Sequence, residues 1–403
     1  MKSLELFAGA GGMAMGFELA GFEPVAVIEW NKWACESIRE NQERGYPLVE
    51  KWPLHQGDVR DFDWSAVTET VDVVSGGPPC QPFSLGGKHG ANADRRDMFP
   101  AAVEFVRRLR PRAFVFENVK GLTRSSFANY FQYILAQLEF PEIVRREHED
   151  WEDHHQRLQV AKSSRGGASG GLIYNVQATL VNAADYGVPQ RRERVFIVGF
   201  RSDLGVKWSF PRATHGIDAL LRDQWVTGEY WRRHALPVPP IPEKFAERIR
   251  ALRASLPPPD TKPWRTVRDA ISDLPDPRDA GAIGIQDHRF QAGARPYAGH
   301  TGSPLDLPAK TLKAGDHGVP GGENMMVRDD GSVRYFTARE SARLQTFPDG
   351  YKLHGTWSEA MRQIGNAVPV MLARQVGASV ARHLVEAEAR DLAARARRMR
   401  ESA

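Results

Sequence analysis

The segment Leu4-Glu5-Leu6-Phe7-Ala8-Gly9-Ala10-Gly11-Gly12-Met13-Ala14 joins a short apolar run to a glycine-rich turn and a helix-compatible stretch. Its glycines match the pattern G-x-G-x-x-G/A, which lets the backbone approach a bound nucleotide closely. Glu29 follows 20 residues after Gly9, at the end of the next apolar run, where a carboxylate can accept hydrogen bonds from ribose hydroxyls. A glycine-rich turn alone can serve a tight turn. The strand, turn, helix and acid together predict an adenosine-containing ligand, either a dinucleotide or S-adenosylmethionine.

The alternation of apolar runs and helical stretches continues through the first half of the chain. Short runs that end in Gly, Pro or acidic residues are typical of buried parallel strands. The predicted strands are Leu4–Phe7, Val25–Ile28, Val71–Val74 and Ala113–Phe116, with further strands at Val176–Val181 and Arg194–Phe200. The predicted helices between them are Met13–Ala20, Lys32–Glu40 and Ala101–Arg110. This order predicts an α/β protein with a Rossmann-like, doubly wound sheet.

Composition shifts along the chain predict the domains. We expect a large catalytic and cofactor-binding domain over 1–210, in which 142–171 form a surface insertion with a solvated, charged helix and a glycine-rich tip. Residues 201–335 hold 15 of the 27 prolines and show little helical or alternating periodicity. We therefore expect a small, loop-rich domain over 211–345. Residues 346–403, with helical character at Thr337–Phe347 and Met371–Arg398, would form a hinge and return to the large domain.

Global composition excludes several classes of protein. The 403 residues carry 54 Lys and Arg against 50 Asp and Glu, and a net charge of +4 permits a nucleic-acid partner without requiring one. A mean hydropathy of −0.46 and the lack of a long apolar stretch predict no membrane span. Two cysteines cannot build a disulfide framework or a four-cysteine metal site, so we expect a reducing cytoplasm and no metal.

The second chemical signal is Gly76-Gly77-Pro78-Pro79-Cys80-Gln81-Pro82-Phe83-Ser84, which follows a predicted strand directly. Prolines on both sides of Cys80 would hold its thiol on a stiff loop at the carboxyl edge of the sheet, where α/β enzymes bind their ligands. That position suits a nucleophile. The other cysteine, Cys35, lies in a helical pattern and is predicted to be a packing residue.

Two further polar groups are predicted near this edge. The strand Ala113–Phe116 ends in Glu117-Asn118-Val119, where a carboxyl group serves either as a cap or, if desolvation favours its protonated form, as a general acid. Gln190-Arg191-Arg192-Glu193-Arg194 precedes the strand at Val195. Such an arginine cluster is either solvated surface or, at a sheet edge, a site for phosphate or an exocyclic oxygen.

Taken together, these motifs resemble the DNA cytosine-C5 methyltransferase family. The matching blocks, in chain order, are Phe7-Ala8-Gly9-Ala10-Gly11-Gly12, Pro78-Pro79-Cys80-Gln81, Glu117-Asn118-Val119, Gln190-x-Arg192-x-Arg194, Arg343-Leu344-Gln345-Thr346-Phe347-Pro348 and Gln363-Ile364-Gly365-Asn366-Ala367-Val368-Pro369. They extend over nearly the whole chain. The gaps fall in the 142–171 insertion and in the loop-rich region, where such enzymes carry their variable target-recognition domain.

The resemblance implies a reaction and its residues. Cys80 would attack C6 of a cytosine, Glu117 would hold a proton at N3, and Arg194 would contact the O2 side, with Arg192 grouped among the catalytic residues. S-adenosylmethionine would supply the methyl group to C5. The cytosine would leave the stack of double-stranded DNA by base flipping.

The resemblance also implies a cofactor pocket. Phe7 would pack on adenine, Glu29 would bind the ribose, Trp30 would stack on the ligand, and Asp58 would accept from the adenine amino group. The remaining residues of the predicted pocket are Gly9, Gly11, Gly12, Val59, Pro79, Met98 and Asn366.

The residues that contact DNA are predicted from their donors and their position in the recognition region and the cysteine loop. They are Gln81, Ser84, Arg289, Arg295, His300, Lys313 and His317. We expect a bacterial, cytoplasmic monomer of a restriction-modification system, paired functionally with a cognate restriction endonuclease but in no stable complex with it.

Three alternatives remain open from the sequence. A nicotinamide-dependent oxidoreductase would use the glycine turn and Glu29 but would leave Pro78-Pro79-Cys80-Gln81 unexplained. A catalytically silent DNA-binding relative would not need Cys80, Glu117, Arg192 and Arg194 intact. An RNA cytosine-C5 methyltransferase of the same architecture would share every motif, although the long region from 201 to 335 favours DNA.

Overall fold

The computed structural model describes residues 1–79, 97–163, 171–254, 259–297, 301–314 and 324–401, which fall into two compact units. The first unit comprises Met1–Val181, Glu193–Pro211 and Ala373–Ala403, and the second comprises Asn182–Arg192 and Arg212–Leu372. Residues 346–372, which the sequence places in the hinge and return, thus lie in the second unit, as does the turn at 182–192.

The helices and strands follow one another in a regular order through the first unit and in short pieces through the second. In chain order they are β1 (Lys2–Leu6), α1 (Gly12–Glu18), β2 (Glu23–Glu29), α2 (Lys32–Glu43), β3 (Leu54–Gln56), β4 (Val73–Gly76), α3 (Phe99–Leu109), β5 (Ala113–Val119), α4 (Ala128–Glu139), α5 (Trp151–Ser163), β6 (Tyr174–Asn182), β7 (Glu193–Arg201), β8 (His215–Gly216), α6 (Ile217–Trp225), α7 (Glu229–Arg233), α8 (Ala246–Ala254), β9 (Lys262–Pro263), α9 (Val267–Ile271), β10 (Ser303–Pro304), β11 (Met325–Val327), β12 (Val333–Tyr335), α10 (Ala338–Leu344), α11 (Trp357–Asn366) and α12 (Val370–Glu401).

A seven-stranded sheet forms the centre of the first unit, in the order β3-β2-β1-β4-β5-β7-β6. Strands β1 to β5 pair in parallel, whereas β7 pairs with β5 in the antiparallel sense. The predicted α/β, doubly wound architecture is confirmed. Two features of the sheet were not predicted. Strand β3 was missed because Leu54-His55-Gln56 is short and mostly polar. The antiparallel direction of β7 was missed because an apolar run does not indicate the direction of its strand.

The core of the first unit lies between the sheet and helices α3 and α4. Leu4 and Leu6 of β1, Val74 of β4 and Phe114 and Phe116 of β5 all project into it. Because side chains alternate along a strand, the residues between them face the other side of the sheet. The carboxylates of Glu5 and Glu117 belong to that second set.

The 142–171 insertion contains α5, and its charged run is anchored more firmly than the predicted solvated helix would be. His154 is buried between the Tyr133 hydroxyl, 2.9 Å from Nδ1, and the Ile143 carbonyl, 2.7 Å from Nε2. Leu158 is also buried. The charged residues around them remain on the surface, so the prediction of a solvated helix is wrong for the face that packs on α4.

The second unit is built from short elements around its own apolar cluster. The buried residues of this cluster are Leu220, Leu221, Trp225, Tyr230, Trp231, Ile249 and Leu252. Helices α6 to α9 lie in the region for which the sequence showed little helical periodicity, and α7 and α9 span only five residues each. Helices of that length are too short to show a period. Among the described residues, no helix is both long and apolar enough to cross a bilayer.

A carboxylic acid lies buried in the middle of the sheet. Glu5 on β1 accepts a hydrogen bond from the hydroxyl of Ser75 on β4. Burial raises the pKa of Glu5 to about 8, and the Ser75 hydrogen bond opposes the shift. The folded protein therefore retains a proton that the unfolded chain, with an ordinary glutamate pKa near 4.5, has already released.

We expect this proton to make stability fall as pH rises from about 4.5 to 8. In that window the folded state binds one more proton than the unfolded state, which lowers the free energy of unfolding by about 1.4 kcal/mol per pH unit. Glu5→Gln should flatten the profile in urea titrations at several pH values, whereas the exposed Glu50→Gln should leave it unchanged. Parallel profiles for wild type and Glu5→Gln would contradict the assignment.

Candidate active site and cofactor pocket

The glycine turn after β1 adopts a left-handed backbone. Phe7, Gly9 and Gly11 have φ values of 54°, 55° and 84°. Such a φ is strained for an aromatic residue, and strain of this kind clusters at functional sites. Gly11 also has a packing reason, since a Cβ there would lie 2.6 Å from the ring of Trp52. Gly12 then begins α1.

Glu29 ties this turn to the end of β2. Its Oε2 accepts from the Gly9 amide at 2.6 Å and its Oε1 from the Asn31 amide at 2.7 Å. Burial raises the pKa of Glu29, and these amides oppose the shift. A carboxylate accepts about four hydrogen bonds, so lone pairs remain for ribose hydroxyls. Trp30 follows with its side chain 75% exposed, as a stacking residue requires.

The other predicted pocket residues of the first unit line neighbouring strand ends. Asp58 begins a short 3₁₀ turn after β3, and its two oxygens bind the Arg60 guanidinium. An adenine amino group would have to share Asp58 with Arg60. Val59 is buried beside it. The Met98 amide donates to the Pro79 carbonyl at 3.1 Å, which holds these two predicted pocket residues close together.

Glu117 and Arg194 form a buried ion pair where β5 ends and β7 begins. Arg194 Nε lies 2.8 Å from Glu117 Oε1, and both side chains are about nine-tenths buried. Burial lowers the pKa of Arg194, and the Glu117 carboxylate opposes the shift. Glu117 lies within β5, and its carboxylate pairs with Arg194 rather than capping a helix.

The backbone that leads to Cys80 runs beside this pair. The Asn118 side-chain amide donates to the Pro78 carbonyl at 2.9 Å, and a Cβ on Gly77 would lie 3.5 Å from Glu117 Oε2. Asn118 thus holds the backbone of Gly77 and Pro78 beside Glu117, a role that sequence reasoning missed even though Asn118 stands inside the quoted motif. Cys80, Gln81 and Ser84 lie outside the described residues.

Cys35 has the environment of an unreactive thiol. It is fully buried, and its Sγ donates to the Glu29 carbonyl at 3.4 Å. Burial, assisted by the nearby Glu29 carboxylate, raises its pKa to about 12. The thiolate is therefore scarcely populated at neutral pH, and the prediction of a packing residue agrees with this structure.

Arg192 is the predicted catalytic residue whose surroundings differ most from the expectation. Its side chain is 1% exposed, and its guanidinium donates to three backbone carbonyls. The acceptors are Leu312 at 3.2 Å, Gly365 at 2.7 Å and Ala367 at 3.0 Å, all within the second unit. Arg192 therefore links two segments of that unit. The arginine cluster, for which solvated surface was one of the two interpretations, thus contains a buried residue.

Gln190 and Gln345 complete this junction. Gln190 Oε1 accepts from the Leu312 amide at 3.0 Å, and its Nε2 donates to the Leu344 carbonyl at 3.3 Å and to Gln345 Oε1 at 3.2 Å. Gln345 in turn donates to the Ile364 carbonyl at 2.7 Å. The motifs at 190–194, 343–348 and 363–369 thus meet in one buried network.

Gly365 lets the backbone at 313–314 approach this network. A Cβ there would lie 2.4 Å from the Ala314 nitrogen, so the backbone at 313–314 passes directly against the end of α11. Asn366, the predicted cofactor residue of the second unit, follows with its side chain exposed.

The predicted DNA contacts are only partly within the described residues. Arg289, Arg295 and Lys313 are exposed, as DNA contacts must be. Asn324 clamps the Lys313 backbone through two hydrogen bonds, of 3.0 and 2.9 Å. His300 and His317 lie outside the described residues.

Solved structures place this fold in one class. The chain aligns with a DNMT2 mutant of Spodoptera frugiperda at 17% identity and a TM-score of 0.55, over 94% of this chain and 99% of that one. It aligns with Dnmt2 methyltransferase of S. pombe at 18% identity and a TM-score of 0.54, over 95% and 99%. These likenesses show the fold, which is that of the C5 methyltransferases.

The chain belongs to the C-5 cytosine-specific DNA methylase family, whose model matches residues 1–141 and 167–382. It is 30% identical to the type II methyltransferase M.NgoFVII of Neisseria gonorrhoeae over 91% of this chain and 83% of that protein. It is 31% identical to the type II methyltransferase M.Eco47II of Escherichia coli, over 95% and 79%. The protein is thus a DNA cytosine-C5 methyltransferase, and the predicted family is confirmed.

Arg192→Lys should lower the free energy of unfolding by roughly 2–4 kcal/mol, because one ammonium cannot replace the guanidinium fork on three buried carbonyls. Urea denaturation measures the change. The matched control is Arg191→Lys, since Arg191 is exposed and the substitution should change stability by less than about 0.5 kcal/mol. Loss of methyl transfer by Arg192→Lys at wild-type stability would contradict a structural role.

Proposed function

We propose that this chain transfers a methyl group from S-adenosylmethionine to C5 of a flipped cytosine within a specific duplex sequence, through a covalent bond between Cys80 and C6. The observation that carries the proposal is the buried pair of Glu117 and Arg194 beside the backbone that leads into Cys80. A thiol nucleophile and a desolvated carboxyl group at the end of adjacent parallel strands suit attack on a pyrimidine ring.

The protein groups act in a definite order. The Cys80 thiolate adds to C6 while Glu117 holds a proton at N3, so the electron pair of the C5–C6 bond becomes available at C5. Arg194 contacts the O2 side and keeps Glu117 in place. After C5 is methylated and loses its proton, the Cys80–C6 bond breaks and the aromatic ring is restored. The base must leave the duplex stack to reach these groups.

The pocket at the ends of β1 and β2 fits an adenosine-containing methyl donor. The left-handed turn at Phe7 brings its ring to the sheet edge, the Glu29 carboxylate retains lone pairs for ribose hydroxyls, and the exposed Trp30 ring offers a stacking face. When bound, S-adenosylmethionine supplies an electrophilic methyl group. Glu29 also fixes the turn through Gly9, so it would orient this cofactor as well as bind it.

The biological setting of the proposal is a restriction-modification system. Relatives named as type II methyltransferases support this setting. Methylation would then protect cytoplasmic, nucleoid DNA from a cognate endonuclease that recognises the same site without a stable complex. The exposed Arg289, Arg295 and Lys313 would contact that DNA, and a single chain would be the catalytic unit.

Cys80→Ser should abolish transfer of tritiated methyl groups from S-adenosylmethionine to duplex DNA, since a serine hydroxyl is a far weaker nucleophile at neutral pH. The control is Cys35→Ser, which should retain transfer because Cys35 is buried and protonated. Assays on tRNA run beside those on DNA. Transfer to tRNA and not to DNA would instead identify an RNA enzyme, and undiminished transfer by Cys80→Ser would remove the nucleophile.

Glu117→Gln should lower the rate of methyl transfer by roughly 10²-fold or more, the usual scale for a positioned acid. Single-turnover kinetics measure the rate, and equilibrium dialysis should show that cofactor binding is retained. Glu193→Gln is the matched control, because Glu193 is exposed, adjacent to Arg194 and paired only with Lys120 in the described contacts. A rate within a fewfold of wild type for Glu117→Gln would reduce Glu117 to a structural residue.

A further inference from the structure

The end of α12 extends into solvent beyond the fold that the family shares. The family match ends at residue 382, whereas α12 continues to Glu401. Every residue from 388 to 401 is exposed. Near its start the helix packs within the first unit, where Gly377 approaches Phe17 of α1 and Ala20, which lies just after that helix. The exposed end therefore lies outside the part of the chain that matches the family.

The exposed end of α12, residues 388–401, would have little stability as an isolated helix. Isolated helices shorter than about 12–15 residues are marginal in water, since most helical stability in proteins comes from packing an apolar face. The ion pair between Arg395 and Asp391, 2.8 Å apart at i and i+4, adds only a few tenths of a kcal/mol. Packing against a partner would therefore stabilise this exposed end.

The exposed end carries an apolar stripe with the spacing of a coiled coil. Val385, Ala389, Leu392, Ala396 and Met399 follow one another at intervals of four, three, four and three residues. This is the heptad pattern whose residues align along one face of a helix. The three large members are 56%, 60% and 74% exposed in chain order. Exposure of so regular a seam indicates a helix–helix contact surface.

The charges beside this stripe are arranged so that the helix is complementary to itself in one orientation. Glu386 and Glu388 flank its beginning, whereas Arg395 and Arg400 flank its end. Parallel pairing of two copies would place like charges together. Antiparallel pairing would bring the acidic end of each copy against the basic end of the other, which is favourable along a coiled-coil seam.

The sizes of the stripe residues favour the same orientation. An antiparallel pairing that sets Leu392 against Ala389 of a second copy also sets Val385 against Ala396 and Glu388 near Arg395. Val385 and Leu392 then each face an alanine, so the two helices can interdigitate closely. Arg395, Arg397, Arg398 and Arg400 would also suit DNA phosphates. However, DNA would leave the apolar stripe exposed.

We propose that residues 385–399 of α12 form an antiparallel helix pair with a second copy of this chain. The contact is isologous, since each copy contributes the same surface. Its short length makes it a weak association that depends on protein concentration. This pair differs from the monomer expected from the sequence, while the catalytic unit remains a single chain.

Sedimentation velocity of the full chain over about a hundredfold range of concentration tests the proposal. Wild type should shift reversibly from the mass of one chain to that of two. Leu392→Glu should abolish the shift, because it places a charge at the centre of the seam. The matched control is Ala394→Glu, which introduces the same residue at an exposed position on the opposite side of the helix and should retain the shift.

A charge swap tests the orientation. Arg395→Glu should weaken the association, and combining it with Glu388→Arg should restore it, because the two reversals recreate opposite charges only in antiparallel copies. Circular dichroism of each variant would verify that its helix content is unchanged. A single-chain mass at every concentration, or equal behaviour of Leu392→Glu and Ala394→Glu, would overturn the proposal. Loss of DNA affinity in Arg395→Glu without any mass change would assign the basic end to DNA instead.

Discussion

The ion pair between Glu117 and Arg194 depends on the reversed direction of β7. Parallel strands all end at the carboxyl edge of a sheet, so only an antiparallel neighbour can begin there. The register pairs Val119 with Arg194, which places the first residues of β7 beside the last residues of β5. Removing either partner would leave a buried charge uncompensated, at a cost of about 3–5 kcal/mol. The arginine motif and the glutamate motif are therefore one structural unit, although 77 residues separate the charged pair in sequence.

The sequence predicted the parts of the site that local patterns determine. The contact of Glu29 with the Gly9 amide follows from a strand–turn–helix signature, because each residue of that signature meets a requirement of the local backbone. The α/β architecture follows equally from short apolar runs that alternate with helices. By contrast, nothing in an apolar run records its direction, so the placement of Arg194 beside Glu117 had to come from the structure.

Arg192 and Asn118 show a second limit of sequence reasoning. An arginine next to two other arginines suggests an exposed surface, yet backbone carbonyls can accept hydrogen bonds from a buried guanidinium, and here three of them do. The sequence places Asn118 in a predicted catalytic motif, but its side-chain amide donates a hydrogen bond to the Pro78 carbonyl. Both roles depend on carbonyls supplied by distant segments. The short helices of the second unit are likewise not apparent from the sequence, because their formation depends on the tertiary cluster around Trp225 and Tyr230.

The most direct test of the account is to trap the protein on duplex DNA that carries 5-fluorocytosine at the target position. The fluorine cannot leave as the C5 proton does, so the bond from C6 to the attacking sulfur should persist. Peptide mapping of the denatured adduct should then find the DNA attached to Cys80. Attachment at Cys35, or no adduct despite active methylation of ordinary DNA, would contradict the proposed nucleophile and the mechanism that depends on it.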